Sequence, residues 1–226
     1  RRRRRKVLRS LTIRVGPGDR VALLATKRAE KDLALEVLSG SKFPDGGKVD
    51  FVGRTSWPLP GLFFLSPIHS AATNIRFIAR LHEVDADRLM KRVVNMTDCG
   101  ESINSPLKKW RPVTRQELAY AIGACIRFDT YIFDEHLIVG RPEFQLKCAQ
   151  FLTMLRPHQG FLVATRAEDV IRQYCTSAYI LDRGETTYYR AVGPALRDFR
   201  KMLSDQGDSV EEEQDSDEEA EESDMF

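Results

Sequence analysis

Long apolar runs are missing from this sequence. The longest apolar pieces, such as Gly61–Leu65, are the size of one strand, whereas a helix that crosses a membrane needs about 20 apolar residues. We also expect no secretory leader, because the basic run Arg1–Lys6 leads into Val7–Leu11 without an apolar core or a cleavage site. We therefore predict a cytoplasmic chain that contacts a membrane only peripherally, on its inner face.

Closely spaced cysteines are also missing. The four cysteines, Cys99, Cys125, Cys148 and Cys175, lie more than 20 residues apart. Structural zinc sites use cysteine pairs that are separated by only a few residues. The spacing therefore excludes that kind of site and predicts reduced thiols that pack in the interior of a cytosolic protein.

Basic residues are missing from the end of the chain. From Ser204 to Phe226 the sequence carries twelve acidic residues and no Lys or Arg, which leaves 35 basic against 21 acidic residues in the preceding part. The acidic segment has too little apolar surface to offset the entropy cost of ordering. We predict one domain over residues 1–203 and a disordered acidic tail over residues 204–226.

The basic surplus of the domain does not indicate nucleic-acid binding. Six of the positive charges form Arg1–Lys6, and the others are scattered without the interleaved aromatic residues of nucleic-acid surfaces. We predict no nucleic-acid partner. The basic terminus would instead face an acidic partner, the acidic tail or a membrane surface.

Strand-length and helix-length segments alternate through the chain. Asn74–Leu81 has apolar residues at helical spacing, and Thr114–Glu117 has the pattern of a capping box that begins a helix. The alternation is typical of an α/β fold with a mostly parallel sheet flanked by helices. The predicted strands are Leu11–Val15, Val21–Leu24, short pieces around Val49–Trp57, Tyr131–Phe133, Gly160–Ala164 and a final Ala178–Leu181. The predicted helices are Glu30–Leu38, Asn74–Leu81, Asp87–Met96, one from Thr114 to about Ile126, Pro142–Leu155 and one that ends at Tyr174.

From Val7 to Arg200, the order and spacing of several stretches resemble the ATP-binding subunits of capsular-polysaccharide ABC exporters. The matching stretches are Val49–Pro58, Thr73–Leu81, Phe128–Glu135, Val139-Gly140, Phe144–Cys148, Ile171–Cys175 and Ile180–Gly184. The resemblance implies the P-loop NTPase fold of ABC ATPases, with small antiparallel β and helical subdomains. It also implies ATP and Mg²⁺ as cofactors, a membrane permease subunit as partner, and a homodimer or a heterodimer with another ATPase subunit.

The phosphate-binding loop departs from the pattern of that family. Where Gly-x-x-Gly-x-Gly-Lys-Ser/Thr is expected, Ala25–Asp32 contains no glycine and retains only Lys31. Glycines let backbone N–H groups wrap the phosphates, and the side chains of Arg28 and Glu30 oppose that conformation. A Glu30 carboxylate about 4 Å from a polyphosphate would cost on the order of 4 kcal/mol at an effective dielectric constant of about 20.

Two interpretations of this segment stay open. As a degenerate P-loop, it offers Arg28, Lys31 and Asp32 as contacts to a nucleotide. As an ordinary connection between a strand and a helix, it places Glu30 and Asp32 at the positive end of the helix dipole, where carboxylates are favoured.

Other positions at which the resemblance implies nucleotide contacts also depart from the pattern. The signature loop matches Arg111–Val113, in which Pro112 has no N–H to donate. The switch histidine matches Arg166 or Thr165, and Arg166 is the candidate contact. The glutamine that reaches the metal matches Ser66, the acidic residue after Val139-Gly140 matches Arg141, and the aromatic residue that stacks on adenine matches Lys6.

Two acidic residues at the end of a predicted strand are retained. By the resemblance, Asp134 is the cofactor-binding residue that positions the metal, and Glu135 is the general base that activates water. The same pair at a strand end is also common as a helix cap or as part of a polar rim.

These residues support three hypotheses of function. The leading one is a pseudo-ATPase, a subunit of a polysaccharide exporter that keeps the fold as a docking surface. The second is an active exporter ATPase that uses Lys31, Asp134 and Glu135, and the third is a free-standing regulatory module. Trp57–Phe64 is the candidate docking segment, with burial in the core as the alternative.

Overall fold

The computed structural model describes residues 6–205 of the chain. These residues form one mixed sheet of six strands. Its strands are β1 (Arg20–Ala25), β2 (Thr55–Leu59), β3 (Thr130–Asp134), β4 (Gly160–Ala164), β5 (Ser177–Asp182) and β6 (Glu185–Tyr189). Their order in the sheet is β2-β3-β4-β1-β5-β6. All neighbours are parallel except β5 and β6, which form an antiparallel pair.

Helices cover both faces of this sheet. They are α1 (Arg28–Leu38), α2 (Ala71–Leu81), α3 (Ala86–Thr97), α4 (Pro112–Cys125), α5 (Pro142–Thr153), α6 (Glu168–Tyr174) and α7 (192–205). Short 3₁₀ helices lie at Gly100–Ser102 and Leu107–Lys109. The predicted α/β class, with a mostly parallel sheet flanked by helices, is confirmed.

The alternation of side chains along β1 divides the core in two. Val21, Leu23 and Ala25 pack with Leu35 of α1 on one face, while Ala22 and Leu24 join the larger cluster on the other face. Because successive side chains of a strand point to opposite faces, a strand that is covered on both sides is apolar throughout.

Several predicted elements differ from the structure. Residues 11–15 form no strand; Ser10 makes only an isolated bridge to Glu185. Of the β pieces predicted around Val49–Trp57, only β2 is present. The predicted capping box at Thr114 is wrong, because α4 begins two residues earlier at Pro112, whose fixed φ suits the first position of a helix.

The end of the chain also departs from the prediction. The predicted final strand, β5, is followed by β6, because Gly184 at φ 80° allows a tight turn back. The predicted acidic tail lies outside the described residues, except for Ser204 and Asp205, which end the described part of α7. Within residues 6–205, no helix combines the length and the apolar character that crossing a membrane requires.

The carboxyl ends of β1, β3 and β4 meet at one edge of the sheet. Leu23 pairs with Ala164, and Ala164 pairs with Asp134. The residues that follow these three ends are Thr26, Glu135 and Thr165. Crevices at such edges are where open α/β sheets bind ligands.

Candidate functional site

The connection between β1 and α1 is short. It contains only Thr26 and Lys27, because the helix begins at Arg28. The Thr26 hydroxyl donates to Asp182 Oδ1 at 2.7 Å, and its backbone N–H donates to the carbonyl of Leu181 at 3.0 Å. The loop is therefore fastened to the end of β5 by its own backbone and side chain.

The side chain of Arg166 also forms hydrogen bonds with this loop. Its guanidinium donates to the carbonyl of Ala25 at 2.8 Å and to the carbonyl of Thr26 at 2.7 Å. Its Cζ also lies 5.8 Å from the centre of the Phe199 ring in α7, within the range of a cation–π contact. This predicted nucleotide contact thus lies at the site, and its donors are directed to backbone carbonyls.

Lys31 is held by two carboxylates that come from β3. Its Nζ donates to Asp134 Oδ1 at 2.6 Å and to Glu135 Oε1, and it lies 3.4 Å from Asp32 Oδ1. Glu135 is in the left-handed region at φ 62°, a conformation that is costly for a residue with a side chain. The structure thus brings together Lys31, Asp134 and Glu135, and their roles toward a nucleotide remain predictions.

The ion cluster changes the proton affinity of Lys31. Burial by itself lowers the pKa of its ammonium, but the hydrogen bonds and negative charges of Asp134 and Glu135 outweigh burial, so the pKa is raised above 10.5. A raised pKa in the folded state means that folding favours the protonated lysine.

We expect Lys31→Met to lower the free energy of unfolding by about 1 kcal/mol near neutral pH, since both carboxylate partners are partly exposed. The raised pKa makes this contribution complete below the ordinary lysine pKa, and it disappears as the pH rises through the folded-state pKa. Urea unfolding of both proteins at pH 8 and above pH 11 measures it. A difference that stays constant into the alkaline range would contradict the assignment.

Glu30 does not face the cleft, which corrects the electrostatic argument drawn from the sequence. Its side chain turns toward the β5–β6 connection, where the N–H of Gly184 donates to Glu30 Oε2 at 3.0 Å, and the residue is only 6% exposed. Glu30 and Asp32 leave the helix in different directions, because residues two apart lie about 200° apart around its axis. The carboxylate therefore supports the fold and does not oppose an anion directly.

Glu30→Ala is expected to lower the free energy of unfolding by about 1–2 kcal/mol, because the buried N–H of Gly184 loses its acceptor. Glu30→Gln keeps an acceptor oxygen and should lose less. Chemical denaturation measures both. Glu36 lies on the same helix and forms an exposed ion pair with Lys42, which lies beyond the helix end. Glu36→Ala is therefore the control and should change stability by less than about 1 kcal/mol. Equal losses for Glu30→Ala and Glu36→Ala would refute the buried role.

Two adjoining clefts contain the predicted site residues. A cleft of about 200 Å³ is lined by Arg28, Lys31, Glu135 and Arg166 together with Leu23, Ala25 and Thr165. A second cleft, of about 630 Å³, is lined by Asp32, Asp134, Pro58 and Phe63 among others.

Arg28 forms an exposed ion pair with Asp32 at 3.6 Å. Within residues 6–205, no cluster of three or more His, Cys, Asp or Glu side chains is arranged to hold a metal ion.

Of the remaining positions that the resemblance singled out, Thr165 lines the first cleft, whereas Ser66, Arg111 and Lys6 are not among the residues that line either cleft. Ser66 is fixed by Asn74, whose Oδ1 accepts from the Ser66 N–H at 2.7 Å. Arg111 is the residue before α4 and makes no side-chain capping bond, and Thr165 is buried. Lys6 is exposed at the start of the described residues.

Arg141 has a partner that was not predicted. It donates to Glu117 from its backbone N–H at 2.8 Å, from Nε at 3.0 Å and from Nη2 at 2.8 Å. The Glu117 side chain is fully buried, so this bidentate pair neutralises a carboxylate inside the core. The predicted capping box had assigned Glu117 to a helix start. The available signal was its place directly before the apolar run Leu118–Ile122.

The candidate docking segment Trp57–Phe64 is divided between core and surface. Leu59 is completely buried, and the Trp57 ring packs on the Phe64 ring with 4.6 Å between the centroids. Leu62 and Phe63, in contrast, are 48% and 72% exposed. Trp57 and Leu59 therefore belong to the core, as the alternative interpretation predicted. Leu62 and Phe63 form an exposed apolar surface.

Comparisons with known proteins identify relatives, although no family model matches the chain. The chain is 24% identical over 198 residues to the capsule polysaccharide export ATP-binding protein CtrD of Neisseria meningitidis serogroup B, covering 88% of this chain and 92% of that protein. It is 27% identical over 204 residues to the polysialic acid transport ATP-binding protein KpsT of Escherichia coli, covering 88% and 93%. The solved structure of an ATP-binding subunit of an ABC transporter matches with a TM-score of 0.74 at 18% identity, covering 85% and 87%. The chain therefore has the ABC ATP-binding fold, and its resemblance to the capsule-polysaccharide export proteins is confirmed.

Proposed function

We propose that this chain, which has the fold of an ABC ATP-binding subunit and relatives among the ATP-binding proteins of capsule-polysaccharide export, is a subunit of a polysaccharide exporter that does not hydrolyse ATP. In this proposal the domain docks on a membrane permease subunit at the cytoplasmic face and serves as a structural element of the assembly. A second ATP-binding chain, identical or different, would complete the pair that such subunits form.

The observation that carries the loss of activity is the pairing of Lys31. A lysine that is to neutralise phosphate oxygens must direct its ammonium to them, but this ammonium is already neutralised by Asp134 and Glu135. A polyphosphate would have to compete with both carboxylates and would meet their negative charge. Glu135 is occupied as well, since its Oε1 already accepts a hydrogen bond from the Lys31 ammonium, and a general base must be free to accept one from the water molecule that it activates.

The shape of the connection between β1 and α1 supports the same proposal. A phosphate cradle needs a loop of several residues whose N–H groups turn inward. Here only Thr26 and Lys27 separate the strand from the helix, and the guanidinium of Arg166 donates to the carbonyls of Ala25 and Thr26. The residues present do not fit Mg-ATP in the manner of a P-loop.

The signature stretch is unsuited to its role in a composite site. A nest of backbone donors is required where a second subunit presents its γ-phosphate, and Pro112 removes one donor at the first residue of α4. In a symmetric pair, each site would combine the altered loop of one chain with the altered signature of the other. Both composite sites of the pair would then lack groups that bind the phosphates of a nucleotide.

The alternative function, an active ATPase, is favoured by one observation. Lys31 lies 103 and 104 residues away from Asp134 and Glu135 in the sequence, and the three side chains still meet at the carboxyl edge of the sheet. Release of Lys31 from the carboxylates on nucleotide binding would free all three groups.

A phosphate-release assay on the purified full chain decides between the two functions. With Mg-ATP in excess, we expect phosphate release at the level of the buffer control, and Glu135→Gln should leave that level unchanged. Calorimetric titration with Mg-ATP should show no saturable binding in the micromolar range typical of functional nucleotide sites. Turnover above the control that Glu135→Gln abolishes would establish the active ATPase instead.

A further inference from the structure

A strip of basic side chains lies at the amino end of α4. It consists of Lys108, Lys109, Arg111 and Arg115, four positive charges within eight residues. Lys108, Lys109 and Arg111 are exposed. The segment is held in place by backbone hydrogen bonds, from the Leu107 N–H to the His69 carbonyl at 3.0 Å and from the Lys108 N–H to the Pro67 carbonyl at 2.7 Å. The strip is therefore a fixed feature of the surface.

None of these four side chains forms an ion pair or a hydrogen bond with another side chain of residues 6–205. The nearest carboxylate in sequence, Glu117, is buried and already paired with Arg141. In addition, the Nε of Arg115 is buried without a hydrogen-bond acceptor.

The helix adds to the positive potential. Arg111, the residue before α4, makes no side-chain capping bond. The first N–H groups of a helix have no acceptor within it, and the helix dipole is positive at this end. An acidic ligand at the strip would therefore meet the side-chain charges and the positive end of the helix dipole together.

We propose that the occupant of the strip is the acidic segment of the same molecule, residues 206–226. That segment carries eleven Asp and Glu residues and no Lys or Arg. Its charge is opposite to that of the strip, and it is covalently attached, which raises its effective concentration at the strip far above that of a free partner.

The distances permit this contact. The segment begins after residue 205 in α7, and its 21 residues can extend at most about 70 Å. A domain of this size has a radius of gyration of about 16 Å. Every point on its surface is therefore within reach of some part of the segment.

The contact would have a consequence for assembly. The strip includes Arg111, next to Pro112, so a bound acidic segment covers the stretch that by the family resemblance faces a second subunit. The bound segment would then have to leave before another chain could pack there. This inference does not depend on whether the chain hydrolyses ATP.

Zero-length crosslinking of the full chain tests the contact. A carbodiimide activates an Asp or Glu carboxylate, a lysine amine in contact displaces the leaving urea, and an amide bond forms. At low salt we expect Lys108 and Lys109 to form several-fold more amide bonds to residues 206–226 than Lys27 and Lys91, which are equally exposed lysines elsewhere. Near 1 M salt, where the Debye length falls to about 3 Å, the preference should disappear.

Two further arms make the result decisive. The variant with Lys108→Gln, Lys109→Gln and Arg111→Gln should leave the acidic segment free, whereas Lys27→Gln with Arg88→Gln and Lys91→Gln removes the same charge and should not. The readout common to both variants is the change in backbone amide NMR shifts of residues 206–226. Mixed ¹⁴N and ¹⁵N chains show whether the crosslinks join one molecule or two. Crosslinks that favour Lys6, that join different molecules, or that show no preference among lysines would each overturn the proposal.

Discussion

Arg141→Ala is expected to lower the free energy of unfolding by about 3 kcal/mol, because it leaves the completely buried carboxylate of Glu117 without its cation. Removal of one partner from a buried ion pair costs about 3–5 kcal/mol, and the lower end applies here because the Arg141 side chain is 52% exposed and water can reach the gap. Thermal or urea unfolding of the purified chain measures the loss.

The controls for this prediction separate pairing from charge. Arg127→Ala removes an exposed arginine and should change stability by no more than about 0.5 kcal/mol. Arg141→Lys keeps the positive charge but loses the bidentate geometry, so it should fall between the two. The predicted role of the pair would be wrong if Arg141→Ala and Arg127→Ala were equally mild.

The Glu117–Arg141 pair is an example of a departure from the family pattern that has a partner in the fold. An arginine stands where the family resemblance implies an acidic residue, and the structure supplies the buried carboxylate that this arginine needs. The buried Glu30 likewise has the N–H of Gly184 as donor. Residues that depart from the family pattern are thus integrated into the fold, which agrees with the proposal that the domain is kept for its shape and surface.

Leu62→Asp with Phe63→Asp is expected to weaken association with a membrane permease subunit by at least about 30-fold, the equivalent of about 2 kcal/mol for an interface hot spot. These two side chains are 48% and 72% exposed and lie shortly after the end of β2, so their surface is apolar but their replacement removes little of the core. Co-purification of the full chain with a permease encoded beside it, quantified by titration in detergent, measures the change.

A matched variant tests whether the effect belongs to this surface. Phe43 is 92% exposed in a different segment, so Phe43→Asp introduces the same kind of charge without touching the candidate docking surface. It should bind the permease as the unchanged chain does. Unaltered binding by the Leu62 and Phe63 variant, with its folding verified by circular dichroism, would remove this surface from the proposal.

The order of elements and the fold class followed from the sequence. Gly160–Ala164 was predicted with its observed bounds, because an apolar segment buried on both faces carries its own signal. The predicted strand at Leu11–Val15 was wrong. Its periodicity suits a strand, but within residues 6–205 it forms no ladder with a neighbouring strand, because the backbone N–H groups of Thr12 and Arg14 donate to the side chains of Thr186 and Tyr179.

The sequence also named residues that the structure brings together, but it did not give the directions of their side chains. Lys31, Asp134, Glu135 and Arg166 could be named because motif spacing is a local property of the chain. That Lys31 is bound by carboxylates 103 and 104 residues away, and that Glu30 turns to Gly184, 154 residues away, depends on how distant strands are brought side by side. Local sequence determines which groups a segment carries, and only the packing of the sheet and helices determines which charges meet, because electrostatic and hydrogen-bond energies depend on distances that the chain acquires when it folds.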